Sequence, residues 1–214
     1  MNFSLSSINK SIKVLLFFLF VINTAAALWT PIFSVYIISH VVGATLATVG
    51  IMSVIYSIIR AILQIPIARH LDAQAGEKDD FFVIFSGIFI AAICSFSLLL
   101  IQQIWQLGLV QILWGVADAC TMAAYYSIFS HHIDQKSAAF EWSLYSVGGI
   151  TIAMSFGGLI GGFAAEYFGF PVIFVAAGCL NIFALILLGI LYPQMKIMRK
   201  KSEQVVVEMT EMPK

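Results

Sequence analysis

Two charged side chains, Arg60 and Asp118, lie deep inside otherwise apolar stretches of the sequence. A charge within a bilayer-crossing segment costs about 2.5 to 3.5 kcal/mol on insertion scales, so such residues are partnered and by default functional. Each also keeps polar and aromatic company. Ser53, Tyr56, Ser57, Arg60 and Gln64 recur at three- and four-residue steps, as do Gln111, Trp114, Asp118, Thr121 or Met122, and Tyr125. At helical spacing these are two stripes, and a polar stripe faces a cavity because on lipid its hydrogen-bonding groups would be stranded. The chemistry to expect is binding of a solute or a coupling ion. Asp118 takes up a proton or counters a cation, Arg60 is its counter-charge, and Tyr56, Gln64, Gln111, Trp114 and Tyr125 line the walls. The alternative is a structural salt bridge that neutralises both charges and fixes helix packing.

Such a pair works only if the chain holds both residues at one depth. With 61% hydrophobic residues against 11 Lys plus Arg and 11 Asp plus Glu, the chain cannot clothe a soluble globule. A helical crossing needs roughly 20 mostly apolar residues. Stretches of that kind fall at 14–39, 46–69, 81–102, 105–129, 140–165 and 171–193. The fold class predicted is an all-α membrane protein with six transmembrane helices. A short segment, 1–13, precedes the bundle of 14–193, and a tail rich in charge, 194–214, follows it and is expected to be disordered. Spans 2 and 4 run in the same direction, and Arg60 precedes Asp72 by nearly as many residues as Asp118 precedes His131. At about 1.5 Å per residue both charges then lie about 18 to 20 Å from the break on that side, near mid-membrane.

Every basic residue except Arg60 falls on one side of these six spans: Lys10 and Lys13, Arg69 and Lys78, Lys136, and Lys196 onward. By the positive-inside rule both termini are cytoplasmic and the protein is a multi-pass protein of the cytoplasmic membrane. Lys10 and Lys13 before Val14 to Ile22, with Ala25-Ala26-Ala27 as an A-x-A site, also have the form of a signal peptide. The apolar run continues to a full span, and removing it would leave the termini on opposite faces, so the segment is read as a retained helix. The basic tail residues contact anionic lipid.

Other chemistries lack residues. The formal charge is zero and there is no basic stripe, which excludes nucleic acid as a partner. Cys94, Cys120 and Cys179 are odd in number and far apart, so no disulfide framework or CxxC site can form. His131 and His132 sit beside Asp134, but adjacent histidines do not share a helix face as i, i+4 ligands do. No metal and no cofactor is expected. There is no G-x-x-x-x-G-K-[ST] loop for a nucleotide-driven pump. An enzyme is not expected either, with no H-E-x-x-H, no G-x-S-x-G and no Ser and His at matching depth.

The pattern resembles one half of a major facilitator superfamily transporter, whose usual chain has two six-helix halves of one orientation. Span 2 and its exit, from Val49-Gly50 through Ala68-Arg69-His70-Leu71-Asp72 to Gly76-Glu77-Lys78, are similar to the family's G-x-L-x-D-R-x-G-R-R loop. Asp72 falls on the acidic position and Lys78 on a basic one; Ala68 and Ala73 replace a Gly and a basic residue, and Gly76 comes one place late. That resemblance implies a gating loop of Asp72, Gly76 and Lys78. Span 5, from Ala153 through Gly157-Gly158 to Gly161-Gly162, is similar to the family's G-x-x-x-G-P-x-x-G-G pattern, with Ala153 for the first Gly and Gly158 for Pro. In the family that pattern is associated with antiporters; physically, such small residues let helices approach closely and flex. On span 4 the family's R-x-x-Q-G falls on Gln111, Trp114 and Gly115, without the basic residue. With Pro31, Tyr36, Gly76 to Phe82, His132 to Asp134 and Phe140 to Ser143, the order of pieces resembles half-length, six-helix members. Because helices 1 and 4 line the cavity in that family, the resemblance implies that Asn23, Thr24 and Trp29 join Asp118.

Alternating access in this family rocks two six-helix bundles about a site between them, and this chain has one. Two parallel copies, paired through an isologous interface, would restore the geometry. The function predicted is therefore a secondary active transporter of a small solute, assembled as a homodimer. The rival is a non-transporting structural or regulatory membrane subunit that pairs with another membrane protein.

Overall fold

The computed structural model describes residues 10–73, 77–134 and 136–211, with side chains detailed as far as 190 and Glu77 excepted. Six helices are long and apolar enough to cross a membrane: Lys10–His40, Leu46–Ala73, Lys78–Leu100, Ile104–His132, Ala138–Phe168 and Phe170–Ile190. These are the six spans read from the sequence, with their ends shifted by a few residues.

Backbone chemistry explains the breaks. Span 1 is helical over Lys10–Ala27, tightens into a 3-10 turn at Thr30–Ile32 and resumes over Phe33–His40. Pro31 opens that turn, where its missing N–H breaks the α-helical ladder, and the Thr30 hydroxyl donates back to the Ala26 carbonyl at 2.7 Å. Opposite the side of Arg69 and Lys136, Val42 N–H donates to the Gln102 carbonyl at 2.9 Å and ties two turns together. Gly43 and Gly169 there have φ of 75° and 80°, a conformation that favours glycine. Gly169 thereby turns the chain from span 5 directly into span 6. Beyond Pro193 the helix continues to Glu211. The end expected at that proline is replaced by helix, because a proline removes one bond of the ladder without forcing its end; residues 212–214 lie outside the described set.

Span 5 departs from regular geometry. Residues Tyr145–Ile152 form a π-helical stretch between α-helical Ala138–Leu144 and Ala153–Phe168. The Thr151 hydroxyl follows the wider turn, donating to the Ser146 carbonyl at 3.1 Å. The irregular segment therefore lies just before the glycine ladder of 157–162.

Packing follows the order span 2, span 4, span 3, span 6, span 1, span 5, each on the next. Spans 1 and 4 are 56% and 50% buried, whereas the two ends of the path, spans 2 and 5, are only 11% and 22% buried. The bundle thus leaves one face, bordered by spans 2 and 5, covered by nothing of its own. Two apolar cores stack along the membrane axis: Leu15, Phe18, Ile84, Tyr125, Phe129 and Leu188 on the basic side, and Trp29, Tyr36, Leu98, Leu107 and Phe174 on the other. Asp118 falls between them.

Candidate functional site

Span 2 carries Tyr56, Arg60 and Gln64 one helical turn apart, so their side chains rise on one face. Span 4 meets that face closely because Gly115 removes the obstacle: a Cβ there would lie 2.9 Å from the Tyr56 carbonyl and from Ile59 Cβ. Arg60 Nη1 stands 2.9 Å from Asp118 Oδ2. The Tyr56 hydroxyl donates to the same Oδ2 and accepts from Arg60 Nη1 at 3.2 Å. Arg60 Nε donates to Gln64 Oε1 at 3.2 Å. The side chains of Arg60 and Asp118 remain 35% and 19% exposed, so the pair is neither sealed in the core nor free on the surface.

Asp118 also borders a cavity of about 70 Å³ lined by spans 1, 3, 4 and 6. Asn23 from span 1, Trp114 and Thr121 from span 4, and Asn181 from span 6 share its wall. Trp29 packs edge-on against Trp114, ring centroids 4.8 Å apart, on the side away from the basic loops. The pair and the cavity thus share one carboxylate.

The family model described as Major Facilitator Superfamily matches residues 15–208. The chain belongs to the major facilitator superfamily. Members of this superfamily are membrane transporters, and the chain is a multi-pass membrane protein consistent with a half-length member. Among curated proteins none matches it.

Within this major facilitator bundle the glycines of span 5 take different roles. A Cβ on Gly157 would stand 2.6 Å from Ala27 Cβ and 2.8 Å from the Thr24 carbonyl, and one on Gly161 would collide with the Leu28 carbonyl. A Cβ on Gly158 would stand 3.3 Å from the Pro31 ring, while one on Gly162 would meet nothing within 4 Å. Gly157 and Gly161 thus let span 5 lie against span 1 where Pro31 breaks it. Asp72, in the last turn of span 2, and Lys78, at the start of span 3, are both exposed; Gly76 lies outside the described residues.

The structure brings together Arg60, Asp118, Tyr56 and Gln64 by hydrogen bonds, and Asn23, Trp114 and Asp118 around the cavity. Two residues predicted for the site do not join it. Tyr125 is fully buried in the core on the basic side, stacked on Phe18 and donating to the Leu15 carbonyl at 3.3 Å. Gln111 is buried and does not line the cavity. Each is two helical turns from Asp118, hence on the same face but about 10 Å away along the axis, where neighbouring helices fill the space. Thr24 donates to its own helix at Phe20, 2.7 Å.

Sequence reasoning missed Asn181 and Ser95, which are both buried and joined at 3.3 Å. Asn181 stands without a polar stripe in its span, and Ser95 is one of several serines in span 3; the presence of an Asn at mid-span was the available signal. Tyr126 and Tyr145 were missed as well, and their hydroxyls meet at 3.0 Å. The buried carboxylate of Glu141 accepts from Asp134 N–H at 3.2 Å and from the Ser137 hydroxyl at 3.1 Å, stapling the turn before span 5. Among the described residues no group of three or more His, Cys, Asp or Glu could hold a metal ion.

Proposed function

We propose that this chain is a secondary active transporter of a small solute in the cytoplasmic membrane, working by alternating access as a parallel homodimer with both termini cytoplasmic. The observation that carries the reading is the Arg60–Asp118 pair with Tyr56 and Gln64, a hydrogen-bonded charge network at mid-membrane that stays partly open. A charge pair kept only for packing gives a bundle little that apolar groups of the same volume would not. Partial opening leaves both charges within reach of a solute or a proton. Asp118 is the coupling group, Arg60, Tyr56 and Gln64 hold it, and Trp114 and Asn23 complete the site.

The low burial of spans 2 and 5 supports the dimer: the uncovered face is bordered by the helix that carries Arg60 and by the glycine-rich helix. A second copy against it gives an isologous interface and one site between two bundles. Asp72, Gly76 and Lys78 form the gate at the cytoplasmic exit, and Gly157, Gly158, Gly161 and Gly162 allow span 5 to pack and flex as the bundles rock. The bundle of 14–193 carries the activity, with 1–13 and 194–214 in the cytoplasm.

The test is counterflow in proteoliposomes with a panel of labelled amino acids, sugars, organic cations and organic anions, under imposed proton and sodium gradients. The reading expects at least one solute to exchange faster than in empty liposomes, and Asp118→Asn to lose the gradient response while still inserting. No exchange of any solute, or full gradient-driven uptake by Asp118→Asn, refutes it.

A further inference from the structure

The polar side chains that line the 70 Å³ cavity beside Asp118 present mainly oxygen acceptors, set in an apolar wall. Asp118 Oδ2 is engaged by Tyr56 and Arg60, which leaves Oδ1 as the carboxylate's second acceptor. Asn23 Nδ2 donates to the Leu19 carbonyl at 2.9 Å. A carbonyl only accepts, so that atom is nitrogen and the amide oxygen lies on the other side. The Thr121 hydroxyl spends its hydrogen on the Ala117 carbonyl at 2.7 Å and keeps only lone pairs.

Asn181 follows by the same reasoning one step removed. Ser95 donates its hydroxyl hydrogen to the Ala91 carbonyl at 2.9 Å, so toward Asn181 its oxygen can only accept. The Asn181 atom 3.3 Å from it is therefore the nitrogen, and the amide oxygen is the group left for the cavity. Helices 1, 4 and 6 thus turn four oxygen acceptors on one small space beside the Trp114 indole. The cavity is small, about 70 Å³, with room for a few waters or one small polar group.

We propose that this cavity is a binding site for a small monovalent cationic group, an alkali-metal ion or a primary ammonium. Crowded acceptors repel one another, and a cation small enough to touch all four relieves them at once. An anion would meet the same four oxygens with only the Trp114 indole N–H to offset them. The inference rests on the proposed role of Asp118 and deepens it: the carboxylate is shared between Arg60 and the cationic group. Thr121 and Asn181 are ligands of that site.

The experiment is titration of the full chain in lipid nanodiscs, read by tryptophan fluorescence and by Tm, at constant ionic strength. Sodium, methylammonium and N-methyl-D-glucamine chlorides are the probes. The expected result is a saturable change with sodium or methylammonium and none with N-methyl-D-glucamine. Saturation by sodium assigns a coupling ion, and saturation by methylammonium alone assigns the head of an organic solute. Thr121→Val keeps the side-chain shape and should weaken the affinity by about tenfold, as should Asn181→Ala, since each removes one acceptor from a charged partner. If Asn181→Ala does not fold, Thr121→Val decides. No saturable response to either small cation, or an affinity unchanged in Thr121→Val, overturns the site. A chain that exchanges solute in liposomes yet ignores both cations loses this inference alone, whereas one that binds a cation and moves no solute loses the transporter reading alone.

Discussion

Removing the charges of Arg60 and Asp118 one at a time and together separates a structural pair from a working one. In Asp118→Asn the guanidinium loses the oxygen at 2.9 Å, and Tyr56 loses the charged acceptor of its hydroxyl. Breaking a fully buried pair costs about 3 to 5 kcal/mol, and an exposed one contributes about 0 to 1. With side chains 35% and 19% exposed, the single variant should lose about 2 kcal/mol, between those limits. For a chain of this length that is about 4 to 8 °C in Tm. Arg60→Gln should lose a similar amount, because Asp118 keeps Tyr56 but loses its counter-charge. The double variant carries no unpaired charge and should recover most of the loss, giving a coupling energy of about 3 kcal/mol. The assay is thermal unfolding in nanodiscs for the four proteins of the cycle, with solute counterflow measured on the same samples. A double variant restored in stability yet inactive is what the transporter reading requires. If the double variant is restored and also transports at the wild-type rate, the pair is structural and the site lies elsewhere. Single-variant losses that simply add would show that the two charges do not act on each other at all.

Further predictions rest on other contacts. Gly161→Ala forces a methyl group into the Leu28 carbonyl and should cost more than about 2 kcal/mol or prevent assembly of span 5; Gly162→Ala, which meets nothing within 4 Å, should change Tm by less than about 2 °C. Glu141→Gln sets an amide N–H₂ against one of two donors, Asp134 N–H or the Ser137 hydroxyl, and should lower Tm by the equivalent of about 1 to 3 kcal/mol in circular-dichroism melts. The mass of the purified protein in nanodiscs or mild detergent, corrected for lipid, should be that of two copies of the 23.5 kDa chain; a strict monomer across mild conditions would remove the shared site.

Why some of this site was legible in the sequence and some was not has a physical reason. A charge in a bilayer helix is conspicuous because lipid cannot solvate it, so Arg60 and Asp118 stood out, and counting 1.5 Å per residue from the breaks gave their depth. Tyr56 and Gln64 followed from periodicity, since neighbours one turn along the same helix face share a depth within about 6 Å. The same periodicity overreached at Gln111 and Tyr125. It fixes which way a side chain points and says nothing of where the facing helix closes in, and at Tyr125 span 1 does so through Phe18 and Leu15. Asn181 could not be reached by any stripe, because it serves the cavity from a third helix, and only packing brings span 6 behind span 4. The glycines show the same limit from the other direction. Their spacing announced a close helix contact, but that Gly161 meets the Leu28 carbonyl just before Pro31 depends on where span 1 breaks. What one helix reveals is therefore the company of Arg60 along span 2, Tyr56 and Gln64. The features that need three helices are the oxygens around the cavity, and the proposed cation site lies there, beyond what a single helix reveals.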